Sequence, residues 1–295
     1  MRNDEQALAM TTVEFDQKGF KVATRNQWEK AAHGWNDHTP QIRAWLRVAT
    51  DAMLDMAGIK PGSRVLDVAA GAGDQTLDIA ERVGPQGFVL ATDLSAAILE
   101  FAKGNARRAG YGNVGTLVAD GESLQVDEAS FDAAACRLGL MLFPDPRQGL
   151  REMYRVLTPG GGVCTIVFSR PETNPCVTIL MSTALKHAGL PPRDPYQPGG
   201  LLSLGKPGLL DEMFRGAGFK DVATTSMDAP FKLPSTQDYL RFIRTSASPL
   251  QQILGKLDAA AADAAWAEME ERLKVFETAE GWTGPNQLLL TAARR

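Results

Sequence analysis

Residues 65–76 read VLDVAAGAGDQT, and the reading of this stretch decides the fold. An apolar run closes on Asp67 and is followed by small residues with two glycines, Gly71 and Gly73. A short apolar run ending in glycine reads as a buried strand, and the residues after it as the start of a helix. The pattern approaches the glycine-rich turn of a dinucleotide-binding fold, but Thr76 stands where its last glycine belongs. Small residues in such a turn let a ligand approach the backbone closely. The helix that follows directs its free N–H groups and positive dipole end into the turn. A pyrophosphate would suit that environment, but Asp67 just ahead of the turn would repel it. A cationic group such as an α-ammonium would be attracted instead.

Outward from this turn, strands and helices alternate. SRVLDVAA (63–70), GFVLATD (87–93), VGTLVAD (114–120), SFDAAACR (130–137) and VCTIVFS (163–169) read as strands. Residues 74–83, 95–109 and 147–157 read as the helices between them, with PGGG (159–162) as a turn. Such alternation predicts a doubly wound α/β fold: a mostly parallel sheet covered on both faces. After Ser169 the alternation breaks. Residues 170–204 are rich in proline and glycine, with one helix at about 176–188. A helix with Leu210, Met213, Phe214 and Ala217 precedes a strand, FKDVATTSM (219–227). Residues 233–282 read as mostly helical, with Trp266, Met269, Leu273 and Phe276 on one face, and NQLLLTAA (286–293) as a last strand. Before the core, the first two dozen residues read as a polar arm. Trp28, Ala31, Ala32 and Trp35 then mark one helix, and Ile42, Leu46, Ala49, Met53 and Met56 a second, ended by Gly58 and Pro61. The expected organisation is an N-terminal helical arm or lid (1–59), a cofactor-binding core (60–169), a helical insertion (170–204), a core helix and strand (205–232), a helical cap for substrate (233–282) and a final core strand (283–295).

Three strands end in an acid. Asp67 leads into the turn, Asp93 lies 20 residues after Gly73 (93 − 73), and Asp120 ends the third strand. A carboxylate at the second strand end can accept both hydroxyls of a ribose. One at the third can accept a hydrogen bond from an adenine amino group. Any single acid here is more often a helix cap; three at successive strand ends around one small-residue turn point together to an adenosine-bearing ligand.

Composition bounds the remainder. The chain has 295 residues, 44% of them hydrophobic, and a formal charge of −4, which suits one large domain or a domain with a cap. The basic residues do not cluster, so no nucleic-acid partner is expected. Cys136, Cys164 and Cys176 form no CxxC pair and read as buried thiols in a reducing, cytoplasmic setting. MRNDEQALAM does not read as a signal peptide, and no segment approaches ~20 uninterrupted apolar residues, so no membrane span is expected. The sequence leaves homo-oligomerisation open.

VLDVAAGAGD, VATD and VADGESL resemble the first, second and adenine-side motifs of the class I S-adenosylmethionine-dependent methyltransferases. SFDAAACR and REMYRVLTPGGG resemble that family's fourth strand and the helix-turn before its fifth. The best match is to the ubiquinone/menaquinone biosynthesis C-methyltransferase branch and its small-molecule relatives, over roughly residues 60–169. The resemblance implies a seven-stranded Rossmann-like sheet with its last strand antiparallel, and S-adenosylmethionine as cofactor. It implies that Asp67 and the turn with Ala69, Gly71, Ala72 and Gly73 face the methionine moiety. It further implies that Asp93 holds the ribose, that Leu94 packs on adenine, and that Asp120 and Gly121 line the adenine side. Arg137 matches a position at the methionine end. Three residues depart from the usual motifs: Ala69 replaces the first glycine, which the quinone branch tolerates, Ala72 replaces a threonine usual between the glycines, and Arg137 replaces a small hydroxyl residue of the quinone branch. Ala72 and Arg137, near the cofactor's reactive end, argue for a relative with a different substrate.

The implied activity is methyl transfer to an oxygen or carbon of an apolar, aromatic or lipid-like small molecule. The pocket for it draws on Trp28, Trp35, Met141, Phe143, Met181, Tyr196, Tyr239 and Phe242. Among His33, His38 and His187, a surface or helix-end role is the plainer reading for each, and His33 ranks first as a general-base candidate. The i, i+5 spacing of His33 and His38 does not support a metal site. A non-catalytic cofactor-binding module of the same fold is the first alternative. A nicotinamide-dependent oxidoreductase is the second, against which Asp67 and Thr76 both count.

Overall fold

The structure, a computed structural model, describes residues 16–246 and 248–295. Its centre is a seven-stranded sheet of order β3-β2-β1-β4-β5-β10-β6. The strands are β1 (Arg64–Val68), β2 (Phe88–Asp93), β3 (Val114–Val118), β4 (Phe131–Arg137), β5 (Leu157–Phe168), β6 (Lys220–Asp228) and β10 (Gln287–Arg294). Strands β1 to β5 pair in parallel, with Asp67 opposite Ala91 on one side and Ala135 on the other. Strand β10 runs antiparallel to both β5 and β6, which places Leu290 between Ile166 and Thr225. Strands β1 and β4 are almost wholly buried, because helices cover both sheet faces and an alternating polar face has nowhere to go. Strand order reverses between β1 and β4, and this is the switch point where ligands of open α/β sheets bind.

The crossover helices lie close to their sequence-based bounds: α3 at Asp74–Val83, α4 at Ala96–Arg108 and α5 at Pro146–Val156, with α7 at Leu209–Gly216 beside β6. Ser95 caps α4 through the Ile98 amide (3.2 Å) and Asp145 caps α5 through the Gln148 amide (3.0 Å). Helix α1 (Gln17–Asp37) and helix α2 (Thr39–Met56) precede the sheet. Helix α1 begins inside the stretch expected to be a polar arm, with its start fixed by the Asp16 carboxylate on the Gly19 amide (2.9 Å). The first 15 residues of that arm lie outside the described residues.

Three further departures have local causes. Strand β3 stops at Val118, and Asp120 lies in a turn closed by a bridge to Ser123. The PGGG segment is not a separate turn but part of β5. The ladder with β4 slips register there, from Phe131 opposite Leu157 to Ala133 opposite Gly162. Residues 233–282 are not helical throughout. Helices α8 (Thr236–Ser246), α9 (Ser248–Leu254) and α10 (Ala259–Leu273) are joined by a small antiparallel sheet, β7 (Phe231–Leu233), β9 (Gly281–Gly284) and β8 (Glu277–Thr278). These strands are too short to show a period-2 signal. Trp282 of β9 anchors them, fully buried with its indole N–H on the Leu273 carbonyl (3.0 Å).

Helix α6 (Pro175–His187) packs on α9 and α10, and α1 packs on α4, α8 and α9. The helices outside the alternation therefore gather at the carboxyl ends of β1, β4 and β5. Among the described residues, no helix is long and apolar enough to cross a membrane.

Candidate active site

Two adjoining cavities open at the switch point. The first is a cleft of about 950 Å³ with polar and charged groups in its walls. Asp93 and Leu94 border it from the end of β2, Ala119, Asp120 and Gly121 from beyond β3, and Arg137 and Leu138 from β4. The second, a chamber of about 870 Å³, is bounded almost entirely by apolar and aromatic side chains, among them Trp45, Met141, Phe231, Tyr239 and Phe242. Trp28, Trp35, Leu138 and Leu142 border both.

The turn after β1 is built around Asp67, which is fully buried. Its carboxylate accepts from the Gln75 side-chain amide and from the Thr76 hydroxyl (2.6 Å). Thr76, in place of a glycine, is thus a donor that ties the first turn of α3 to the end of β1. Burial pushes the Asp67 carboxyl up to about 7, against the pull of the Thr76 and Gln75 hydrogen bonds. Asp67 does not border the cleft, and neither do Ala72 and Gly73. Ala72 packs with Ala32 and Ile98. Gly73 has φ +84, and a Cβ there would lie 2.9 Å from that of Ala102, so this glycine serves helix packing. These three residues shape the turn from behind, whereas the expected direct contact with the methionine moiety has no geometric counterpart for them.

Ala69, Gly71, Asp93, Leu94, Asp120, Gly121 and Arg137 all border the cleft. Ala69 takes a left-handed φ of +55, unusual for a residue with a side chain. Room for its methyl exists because residue 139 has none: a Cβ at Gly139 would lie 2.4 Å from that of Ala69. The Asp93 carboxylate accepts from the Gly71 amide and the Ser95 amide, each at 3.0 Å. Burial nevertheless pushes its carboxyl up to about 6, partly held down by those backbone donors. At the opposite end, the Arg137 guanidinium, 6% exposed, pairs with Asp74 of α3 and donates to Thr50 Oγ1 of α2 (2.8 Å).

Several bordering residues carried no functional signal in the sequence reading. Asp74 is the first residue of α3, and an acid there reads as dipole compensation; only the fold brings it to Arg137. Lys21 of α1 reaches across the cleft to Asp120 and Glu122, at 2.6 Å each. Glu29 of α1 accepts from the first amides of α4, Ala96 (2.7 Å) and Ala97 (3.2 Å). Helix α1 is thereby fastened over the cleft at both places.

Of the expected pocket residues, Trp28, Trp35, Met141, Met181, Tyr239 and Phe242 border the chamber, Phe143 borders the cleft, and Tyr196 borders neither. His33 borders neither cavity. Its side chain is 78% exposed and pairs with Asp37 (3.0 Å). His38 bonds the Thr245 hydroxyl (2.8 Å) and His187 bonds Glu268 (2.8 Å). All three cysteines are buried and unpaired, and burial pushes the Cys136 thiol up to about 12. Among the described residues no group of His, Cys, Asp and Glu could hold a metal ion.

A doubly wound sheet of this order, with Asp93 at the β2 end and Asp120 in the turn after β3 beside a charged cleft, is an open α/β fold with its ligand site at the switch point. Residues 41–184 match the ubiE/COQ5 methyltransferase family. The chain is 31% identical over 185 residues to the ubiquinone/menaquinone biosynthesis C-methyltransferase UbiE of Pasteurella multocida (strain Pm70), covering 58% of this chain and 68% of that protein. It is 39% identical over 137 residues to UbiE of Hahella chejuensis (strain KCTC 2396), covering 46% and 53%. The chain belongs to the ubiE/COQ5 methyltransferase family, a branch of the class I S-adenosylmethionine-dependent methyltransferases. It spans about half the length of several of these curated relatives. The fold is also that of phosphoethanolamine N-methyltransferase 2 of Haemonchus contortus, solved with S-adenosylhomocysteine (TM-score 0.56, 18% identity, 88% of this chain and 58% of that one).

Proposed function

We propose that this protein transfers a methyl group from S-adenosylmethionine to an oxygen or carbon of an apolar, aromatic or lipid-like small molecule. The observation that carries this reading is the pair of joined cavities, one charged and one apolar, sharing a wall. The residues of the cleft fit the cofactor. Asp93 offers a carboxylate to a ribose, and Leu94, Asp120 and Gly121 stand where an adenine would lie. Arg137 and Asp74 present a cation and an anion to the carboxylate and ammonium of an amino acid. When bound, the cofactor supplies an electrophilic methyl group on a sulfonium. The protein contributes placement and exclusion of water, and placement alone can supply up to ~7–11 kcal/mol of a barrier.

The chamber supports the substrate class. Its seven aromatic side chains include stacked Trp45 and Phe231 (4.7 Å, 20°), suited to a flat apolar molecule. Tyr239 is its one titratable side chain among the described residues, and burial raises that phenol well above its ordinary value. At neutral pH it is a hydrogen-bond donor and not a base. His33, in solvent and bordering neither cavity, does not serve as the base. A substrate that ionises readily by itself, such as a phenol or an enol, suits a chamber of this kind. The buried thiols support a cytoplasmic location.

Calorimetry with S-adenosylmethionine and with NADH tests the cofactor. Transfer of label from methyl-labelled S-adenosylmethionine to a panel of phenols, quinols and polyketides tests the reaction. The expected outcome is binding of S-adenosylmethionine and not NADH, and label in an aromatic acceptor. Cofactor binding without transfer to any acceptor would favour the non-catalytic module.

A further inference from the structure

The shared wall has a specific chemistry. Of its four side chains, Leu138 and Leu142 are neutral and apolar, and Trp28 and Trp35 are indoles. The two indoles sit seven residues apart on α1, with ring centroids 5.3 Å apart and an interplanar angle of 88°. Trp35 meets the turn after β1 with its pyrrole edge, since a Cβ at Gly71 would come 3.3 Å from its Nε1 and 3.8 Å from its Cδ1. Phe242, at 6.4 Å and 44°, backs it from the chamber side. The four carboxylates that border the cleft are already engaged: Asp74 by Arg137, Asp93 by the Gly71 and Ser95 amides, and Asp120 and Glu122 by Lys21.

We propose that Trp35, supported by Trp28, holds the sulfonium of S-adenosylmethionine by cation–π attraction and thereby selects the charged methyl donor over neutral S-adenosylhomocysteine. This rests on the cofactor reading given above. The amino-acid end of the cleft is marked by Arg137 and Asp74, and the ribose end by Asp93. The sulfur joins those two parts, and its methyl must face the chamber, so the sulfur belongs at the shared wall. A cation there meets no free carboxylate, and the indole face is the group in that wall with an electrostatic preference for positive charge. The product form of the cofactor has the same shape without the charge and loses that attraction.

Calorimetry on the full chain with S-adenosylmethionine and with S-adenosylhomocysteine tests this. Trp35→Leu is expected to weaken S-adenosylmethionine about 10-fold, and S-adenosylhomocysteine less than about twofold. Trp35→Phe, which keeps a π face, should restore most of the difference. Equal weakening of both nucleosides, or of neither, would overturn the assignment while leaving the cofactor reading intact. Failure of the unaltered protein to bind either would overturn that reading and this inference with it. If circular dichroism shows Trp35→Leu unfolded, Trp35→Phe and Trp28→Leu carry the comparison, with a smaller selective loss for S-adenosylmethionine expected in each.

Discussion

The cleft and the chamber share one wall and are organised by opposite means. In the cleft, positions are set by charge and directed hydrogen bonds: Arg137 on Asp74, Lys21 on Asp120 and Glu122, backbone amides on Asp93. In the chamber, they are set by the packing of rings, Tyr239 stacked on Trp282 (4.2 Å, 19°) and Phe242 edge-on to Phe231 (5.2 Å, 84°). A charged wall fixes the orientation of one ligand and rejects others, because a lost partner leaves a buried polar group unpaired. An apolar wall tolerates changes of shape as long as volume is kept. A charged wall of this kind suits a single ligand, and an apolar one a range of shapes.

The largest effect should come from breaking charge in the cleft. Arg137→Leu leaves the Asp74 carboxylate, 2% exposed, without its partner, at an expected cost of about 3–5 kcal/mol. Adding Asp74→Asn should recover much of that loss. Met181→Leu in the chamber wall, nearly constant in volume, should cost under ~1.5 kcal/mol. Denaturant unfolding of the four proteins measures all of this, and similar costs for the two single variants would erase the contrast.

A smaller effect separates the regions by pH. The Asp93 carboxyl is raised to about 6, so the folded state favours its protonated form. The stability this contributes is fully present below about pH 4 and lost as pH rises through about 6. Affinity runs the other way, since the carboxylate is the better acceptor for ribose hydroxyls. S-adenosylmethionine should bind up to about 10-fold more weakly at pH 5 than at pH 7.5, and Asp93→Asn should flatten the profile. Binding of an apolar fluorescent probe in the chamber should change less than about twofold over that range. A parallel pH profile for the probe would show the two sites are not electrostatically independent.

The same contrast explains what could be read before folding. The sheet was legible because buried parallel strands leave continuous apolar runs. Asp93 and Asp120 stood out as acids after successive strands, Leu94, Gly121 and Arg137 only through the family resemblance, and all five border the cleft. Asp67 accepts from Gln75 and Thr76 and does not border the cleft, and an acid facing a ligand and an acid tying down a turn read alike in sequence. Asp74 and Lys21 were missed because their partners lie 63 and 99 residues away. The short strands β7 to β9 were missed because two to four residues carry no period. Six of the eight expected pocket residues border the chamber, whereas Trp45, Phe168 and Phe231 were missed because they read as ordinary core positions until α2, β5 and β7 bring them to the same wall.

The smallest effect lies at the joint between the two regions. Ala69 holds a left-handed backbone, at a cost of roughly 1–2 kcal/mol for a residue with a Cβ. Ala69→Gly relieves it but loosens the unfolded chain by about 0.4–1 kcal/mol. A net gain of under ~1 kcal/mol, or a melting temperature higher by ~1–3 °C, is expected from thermal unfolding. A clear loss would mean that the methyl contributes packing at the joint.

That methyl also couples two segments far apart in the chain. Ala69 follows β1 and Gly139 follows β4, and the missing side chain of Gly139 is the space the alanine fills. Positions 69 and 139 form one steric unit with a single vacancy, and an exchange of their residues is the substitution that unit would accept most readily.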